Sequence, residues 1–312
     1  MWILVTILSY LILAIVFLID KYLLKSSIPN PQVYVFYVGI AGILAVLLLP
    51  FVGFSIPQPS QIFLGLLAGA AFMFGLFWFY MGLGLFEASR IVPAVGGLTP
   101  FFTSLLIFIF SKGKEVLTQK EIFAFVLLIL GSVLIVYEKG KSINLKSLKI
   151  SLISSLFLSA SFALIKYIYS VLPFWTGFIL KSFGGFLAAI LFFIIFPEIK
   201  KEIFKKRSSF AKDSNDKEKS SKKTTITFLG NQAMGAGGNI LQNWAIALVP
   251  SLAFVAFVNA LQGIQYVFLL IFTIFLSWKF PWFLKEEISK KIIFQKTISV
   301  LLISGGLILL LI

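Results

Sequence analysis

Residues 62–110 read IFLGLLAGAAFMFGLFWFYMGLGLFEASRIVPAVGGLTPFFTSLLIFIF. Two apolar runs, 62–86 and 91–111, are separated only by Glu87-Ala88-Ser89-Arg90. A helix needs roughly 20 apolar residues to cross the hydrocarbon core of a bilayer. Each run is long enough, and so short a charged turn sends the chain straight back. A membrane barrel would instead show alternating segments of about ten residues. Gly65 and Gly69, one helical turn apart, fit the close packing of membrane helices. The stretch predicts a helical hairpin through lipid.

Eight more runs of this kind lie outside it, near 2–20, 32–51, 121–137, 149–172, 174–196, 225–248, 251–278 and 293–312. The expectation is an all-α integral membrane protein with about ten transmembrane helices. Composition agrees, since 59% of residues are hydrophobic and mean hydropathy is +1.02. A chain so apolar exceeds what a water-facing surface accommodates. The first run follows no basic stretch and precedes no small-residue cleavage site, so it reads as a retained span.

Histidine and cysteine are both absent. Their absence from the chain removes thiolate nucleophiles, Cys/His zinc sites and histidine acid–base chemistry. The chain has no G-x-x-x-x-G-K-[ST] phosphate loop and only 12 acidic residues. An enzyme is not expected, and no cofactor or metal is called for. The net charge of +15 falls almost wholly between the apolar runs. Topology and anionic headgroups explain it better than nucleic acid does. The expected partners are the lipid bilayer and a small-molecule substrate; the oligomeric state is not legible. Residues 198–224, with ten Lys/Arg and five Asp/Glu, read as a solvated, disordered linker, either a spacer or a partner-binding element.

The chain also resembles itself. Phe17-Leu-Ile-Asp-Lys21-Tyr22 resembles Phe162-Ala-Leu-Ile-Lys166-Tyr167, and Leu127-Leu-Ile-Leu-Gly131 resembles Leu301-Leu-Ile-Ser-Gly305. Thr99-Pro100 corresponds to Gln262-Gly263. The shared order divides the chain into 1–138 and 139–312, the second half carrying the linker. Five spans per half is an odd number, so the halves enter the bilayer in opposite senses. Inverted repeats of this kind form two mirrored gates around a midplane site.

The stretch Gly82 to Pro100, then Lys114-Glu115-Val-Leu-Thr118 and Leu130-Gly131-Ser-Val-Leu-Ile, resembles an EamA domain of the drug/metabolite transporter superfamily. The second half resembles it through Ala245-Ile-Ala-Leu-Val-Pro-Ser251, Glu286-Glu287 and Gly305-Gly306. Gly263 in place of the proline seen at Pro100 and the long basic linker depart from the pattern. The resemblance implies a ten-helix, inverted-repeat carrier. Its central cavity would be lined mainly by the first, third, fourth, sixth, eighth and ninth helices.

Polar groups inside lipid are costly unless they face a cavity or another helix. The eighth span carries Gln232, Asn239, Gln242 and Asn243 on one broad face, more amides than packing needs. Asn259 and Gln262 lie near them in the repeat. This is the leading substrate-binding surface. Tyr10, Tyr80, Thr99, Thr103 and Ser155 join it from other spans. The hydroxyls have two readings, since they also bond the preceding helical turn. Lys21 and Lys166 occupy matching places near helix ends, where they either face the cavity or snorkel. Lys181 lies several residues inside the seventh span and either faces the cavity or pairs with a carbonyl. Pro100 reads as a kink.

Asp20 and Glu87 are the acids closest to the membrane, and both fall near predicted span ends. That favours facilitated or exchange transport over proton-driven transport. The loops opposite the termini hold 22 of the 27 Lys/Arg, which puts the termini outside a plasma (inner) membrane. The resemblance implies the reverse orientation. The expected function is secondary transport of a small organic metabolite or drug-like solute by alternating access. The alternatives are a non-transporting scaffold or assembly factor and a passive channel.

Overall fold

The computed structural model describes residues 1–26, 28, 30–53, 55–110, 118–136, 144–209, 215–251, 254–279 and 289–311. All regular structure among them is helical. In chain order the helices are α1 (Trp2–Ser26), α2 (Pro31–Ala41), α3 (Leu49–Val52), α4 (Pro59–Leu85), α5 (Ala88–Phe110), α6 (Gln119–Val136) and α7 (Leu145–Val171). They continue as α8 (Phe174–Ile195), α9 (Pro197–Ser209), α10 (Asn215–Leu248), α11 (Phe254–Ala260), α12 (Gly263–Lys279) and α13 (Lys290–Leu311). Among the described residues, six stretches are long and apolar enough to cross a membrane: α1, the stretch Pro31–Val52, α4, α5, α7 and α8.

Polarity is turned inside out relative to a water-soluble fold. Helix α7 buries Ser147, Ser151, Ser154, Ser155, Ser159 and Ser161 and exposes Leu152 and Leu156. Leu4, Leu8, Phe63, Leu130, Ile194 and Leu301 are likewise exposed. Apolar side chains outside and hydroxyls inside suit a lipid solvent, where inward hydroxyls find partners. The chain is an integral, multi-pass membrane protein.

Local chemistry sets several helix starts. Asn30 accepts from Gln32 N at 2.9 Å ahead of Pro31, the pairing expected of a cap and a first-turn proline. Asn144 accepts from Ser147 N at 3.1 Å to open α7. Gln61 reaches back to Gln58 N at 2.9 Å ahead of α4. The hairpin turn at 86–87 appears as the sequence requires, with α4 ending at Leu85 and α5 starting at Ala88.

Two expectations are corrected and a third, the span at 32–51, stands with a local change of helix type. The run 251–278 is two helices, interrupted at Leu261 and Gln262. Gly263 opens the second piece, whereas Pro93 and Pro100 sit inside an unbroken α5. The run 32–51 passes through a 3-10 stretch, Gly42–Leu48, before α3, and such mid-helix tightening marks strain or a hinge. The 198–224 segment carries helical backbone in α9 and in the first turns of α10. Extending an existing helix avoids the cost of nucleation, and Lys and Glu are good helix formers. Residues 210–214, and the parts of the EamA resemblance at Lys114-Glu115 and Glu286-Glu287, lie outside the described residues.

The two halves interlock. α1 packs on α10 and α12; α7 packs on α4 and α5; α6 packs on α13; α2 and α4 both pack on α8. The α4–α8 seam is glycine-built. A Cβ at Gly69 would lie 1.9 Å from Lys181 O, and one at Gly184 would lie 2.2 Å from Leu66 O. Backbone meets backbone there, which only glycine permits.

Candidate functional site

A cavity of about 470 Å³ lies inside the bundle, within the usual range for small-molecule sites. Both halves of the chain line it: α1, α2, the 3-10 stretch, α4 and α5 from the first, and α7, α8, α10 and Gln262 from the second. Phe17, Phe72, Met73, Phe79, Phe162 and Phe178 supply apolar wall. Tyr10, Thr99, Gln232, Asn239 and Gln242 supply polar wall, and Gln242 Nε2 donates to Tyr10 Oη at 3.4 Å.

One charged side chain stands in the wall. Lys181 of α8 is buried and donates from Nζ to Asn243 Oδ1 at 2.9 Å. Its ammonium lies 4.2 Å from the Phe72 ring centre and 5.8 Å from that of Phe162. Aromatic faces stabilise a cation without neutralising it. Tyr169 Oη also donates to Asn243 Oδ1, at 3.1 Å, and Asn243 Nδ2 donates to Asn239 Oδ1 at 2.6 Å. These bonds fix the amide's orientation and hold Lys181 from behind.

Of the residues singled out from the sequence, Tyr10, Tyr80, Thr99, Gln232, Asn239, Gln242 and Gln262 meet at the cavity. Lys181 joins them, while Lys21, Thr103, Ser155, Lys166, Asn243 and Asn259 do not line it. Asn243 stands one layer behind Lys181. Asn259 donates to Thr103 Oγ1 at 3.2 Å, and Thr103 donates to Thr99 O at 2.8 Å. Ser155 donates to Ser151 O at 2.7 Å, the back-bonding typical of hydroxyls in apolar helices. Sequence reasoning left Lys181 open between cavity and carbonyl. Its position several residues inside the span is the signal that could have decided for the cavity.

Lys21 and Lys166 cap helices. Lys21 Nζ donates to Leu83 O and Phe86 O, both at 2.5 Å, at the end of α4. Lys166 Nζ donates to Ala247 O at 3.2 Å and Val249 O at 2.5 Å, at the end of α10. A cation at a helix C-terminus satisfies orphan carbonyls and meets the negative end of the helix dipole.

The two acids differ. Glu87 Oε2 pairs with Arg90 Nε at 2.9 Å and with Lys296 Nζ at 2.7 Å. Asp20 is fully buried six residues before the end of α1, inside a candidate span. Its Oδ1 accepts from the Tyr34 hydroxyl of α2 and from Asn231 Nδ2 of α10, the latter at 2.6 Å. Among the described residues no cation pairs with it. The sequence put Asp20 at the last residue of the first run, whereas α1 continues to Ser26.

Comparison with known proteins adds the fold. No protein-family model matches the chain. No curated protein matches it either. Among solved structures 25 chains match. One of them, described only as "Crystal structure of protein", is 13% identical, with a TM-score of 0.56 over 97% of this chain and 98% of that one. At that identity the likeness extends to the fold, end to end.

Proposed function

We propose that this protein is a secondary carrier of the EamA type, moving a small organic metabolite or drug-like solute across a plasma (inner) membrane by alternating access. The carrying observation is the cavity between the two halves, apolar on most sides with amides and one buried ammonium on the rest. Such a lining suits an amphipathic solute with a hydrogen-bond-accepting or anionic end placed at Lys181.

Paired bonds support the two inverted five-helix repeats. Ser9 Oγ donates to Gly238 O at 2.9 Å, and Ser154 Oγ donates to Gly75 O at 3.0 Å. Ser154 follows Ser9 by 145 positions, as Lys166 follows Lys21; Gly238 follows Gly75 by 163 positions, as Val249 follows Phe86. Serine and lysine thus repeat both their spacing and their bonds. The packing of α1 on α10 and of α7 on α4 fits the same exchange.

The repeat also supports a one-sided state. Helix α4 packs along α8, while their counterparts α10 and α2 meet through Phe228, against Tyr34 and Tyr37, and otherwise flank the cavity. Closing that second seam while opening the first is the alternation a carrier requires.

The test begins with a thermal-shift screen of metabolites on the purified protein, since a ligand of the folded state raises its apparent stability. Each stabilising compound is then assayed for saturable counterflow in proteoliposomes. A carrier yields a hit whose counterflow is lost in Lys181→Met. Stabilising compounds without counterflow would sink the proposal, and flux that never saturates would mark a channel.

A further inference from the structure

Asp20 is the group the transport reading leaves unexplained. Its Oδ2 is buried and, among the described residues, has no hydrogen-bond partner; the same holds for the buried Oδ1 of its neighbour Asn231. Two acceptor oxygens without donors therefore stand in one polar cluster, inside a protein whose solvent is lipid. An ionised carboxylate there is costly without a positive partner. The side chains around it bring none. From α2 it faces Tyr34, with Tyr37 further along the same helix beside Glu202 of α9. From α4 it faces Tyr80, whose ring lies 4.8 Å from that of Tyr34 and whose hydroxyl interacts with the carboxylate. From α10 it meets the neutral Asn231. Lys21, next along α1, is committed to the end of α4, and Arg90 of α5 is paired with Glu87. On α12, Tyr266 lies against Gly96 of α5, and Lys279, at the end of the helix, lies 5.7 Å from the Phe275 ring centre.

The position matters as much as the chemistry. Asp20 ties α1 of the first half to α10 of the second, through Asn231. Tyr34, which donates to it, packs its ring edge-on to Phe228, where α2 meets α10. Tyr80, Phe17 and Gln232 reach the cavity from the same neighbourhood. A charge placed on or removed from Asp20 thus acts on the seam that flanks the cavity.

We propose that Asp20 is a proton-binding site that sets whether α2 and α10 close over the cavity, and so couples solute movement to protons. The idea rests on the carrier reading and supplies its energy source. In the uptake step Oδ2 takes one proton from water, forming an O–H bond and passing from one negative charge to none. That O–H is a donor for the unpartnered Asn231 Oδ1. In the release step the proton returns to water, and the recharged carboxylate draws the Tyr80 hydroxyl to Oδ2. The two protonation states therefore hold α1, α2, α4 and α10 by different bonds, which is what a two-state gate needs. It differs from the sequence-based expectation of facilitated or exchange transport.

The test needs no known solute, so it can fail or succeed independently of the carrier reading. The full-length protein in liposomes is titrated from acid to alkaline pH while the C=O stretch of protonated carboxyl groups is followed by infrared spectroscopy. Hydrogen exchange of 228–240 is read at the two extremes, corrected for intrinsic rates. The expectation is a carboxyl band that titrates in the wild type, disappears in Asp20→Asn, and shifts in Tyr34→Phe. Exchange protection of 228–240 should change with pH in the wild type and be pH-independent in Asp20→Asn. Asp20→Asn keeps the side chain's shape, and Tyr34→Phe keeps the acid, so loss of folding in one leaves the other informative. A band that is absent or unchanged across the range overturns the proposal. So does a protection change that follows sodium chloride against choline chloride at fixed pH, which would assign the site to a metal cation.

Discussion

The surroundings of Asp20 and of Ile165 occupy matching places in the two proposed repeats and have opposite chemistry. Shifting Asp20 and Tyr34 by 145 positions gives Ile165 and Ile179, and shifting Asn231 back by 163 gives Ala68. All three replacements are buried and apolar, and Ala68 and Ile165 belong to one hydrophobic cluster with Phe162 and Val258. The capping lysine one residue further on is present in both halves. The architecture therefore stands with or without an acid at this level. Lys21 and Lys166 are what the fold needs twice; Asp20 is what it has once.

That contrast can be attacked from its apolar side. Ile165→Asp would place a carboxylate where Ile179 and Ala68 offer no donor, costing about 4 kcal/mol as an uncompensated buried charge. Thermal unfolding in detergent would show it, and an unchanged midpoint would mean the two environments are not distinct. Next in size is Gly69→Leu, which drives a side chain into the Lys181 carbonyl and should cost about 3 kcal/mol by overpacking. On α10, by contrast, a Cβ at Gly235 would lie 3.5 Å from Val16 of α1, which leaves room, so Gly235→Ala should unfold at almost the wild-type temperature.

A smaller effect separates the poles of the cavity. Lys181→Met removes a charge-assisted donor and should weaken a stabilising anionic ligand by about 2 kcal/mol, roughly thirtyfold in Kd, with little change in ligand-free stability. Titration calorimetry with the best hit reads this directly. Last come the caps. Lys21→Met and Lys166→Met should each lower stability by about 1 kcal/mol, and by similar amounts, because they make the same bonds to two helix ends. Loss of transport with unchanged stability in one of them alone would move that lysine from cap to binding site.

The hairpin of 62–110, the membrane class and the helical character of the runs were legible because each rests on local hydropathy and length. The amide face of α10 was legible too, since Gln232, Asn239 and Gln242 are unusual at any depth in lipid. The break before Gly263 was not, because the residues around it, Leu261-Gln262-Gly263, resemble those of an unbroken helix. Nor was the sorting of hydroxyls. Thr99 reaches the cavity while Thr103, one turn on, does not, a difference set by where Asn259 packs.

By itself the sequence determined that this chain lives in lipid, that it is helical, that it carries no thiol or imidazole chemistry, and that a serine–lysine pattern recurs along it. Those follow from composition and period, which are properties of single segments. Only the tertiary structure decided that two lysines cap helices while a third enters the cavity, and that one acid is neutralised by Arg90 and Lys296 while the other is not. A charged side chain in a membrane takes its role from the partners within a few ångströms, and at Asp20 the nearest come from helices α2 and α10, the second lying 211 positions along the chain.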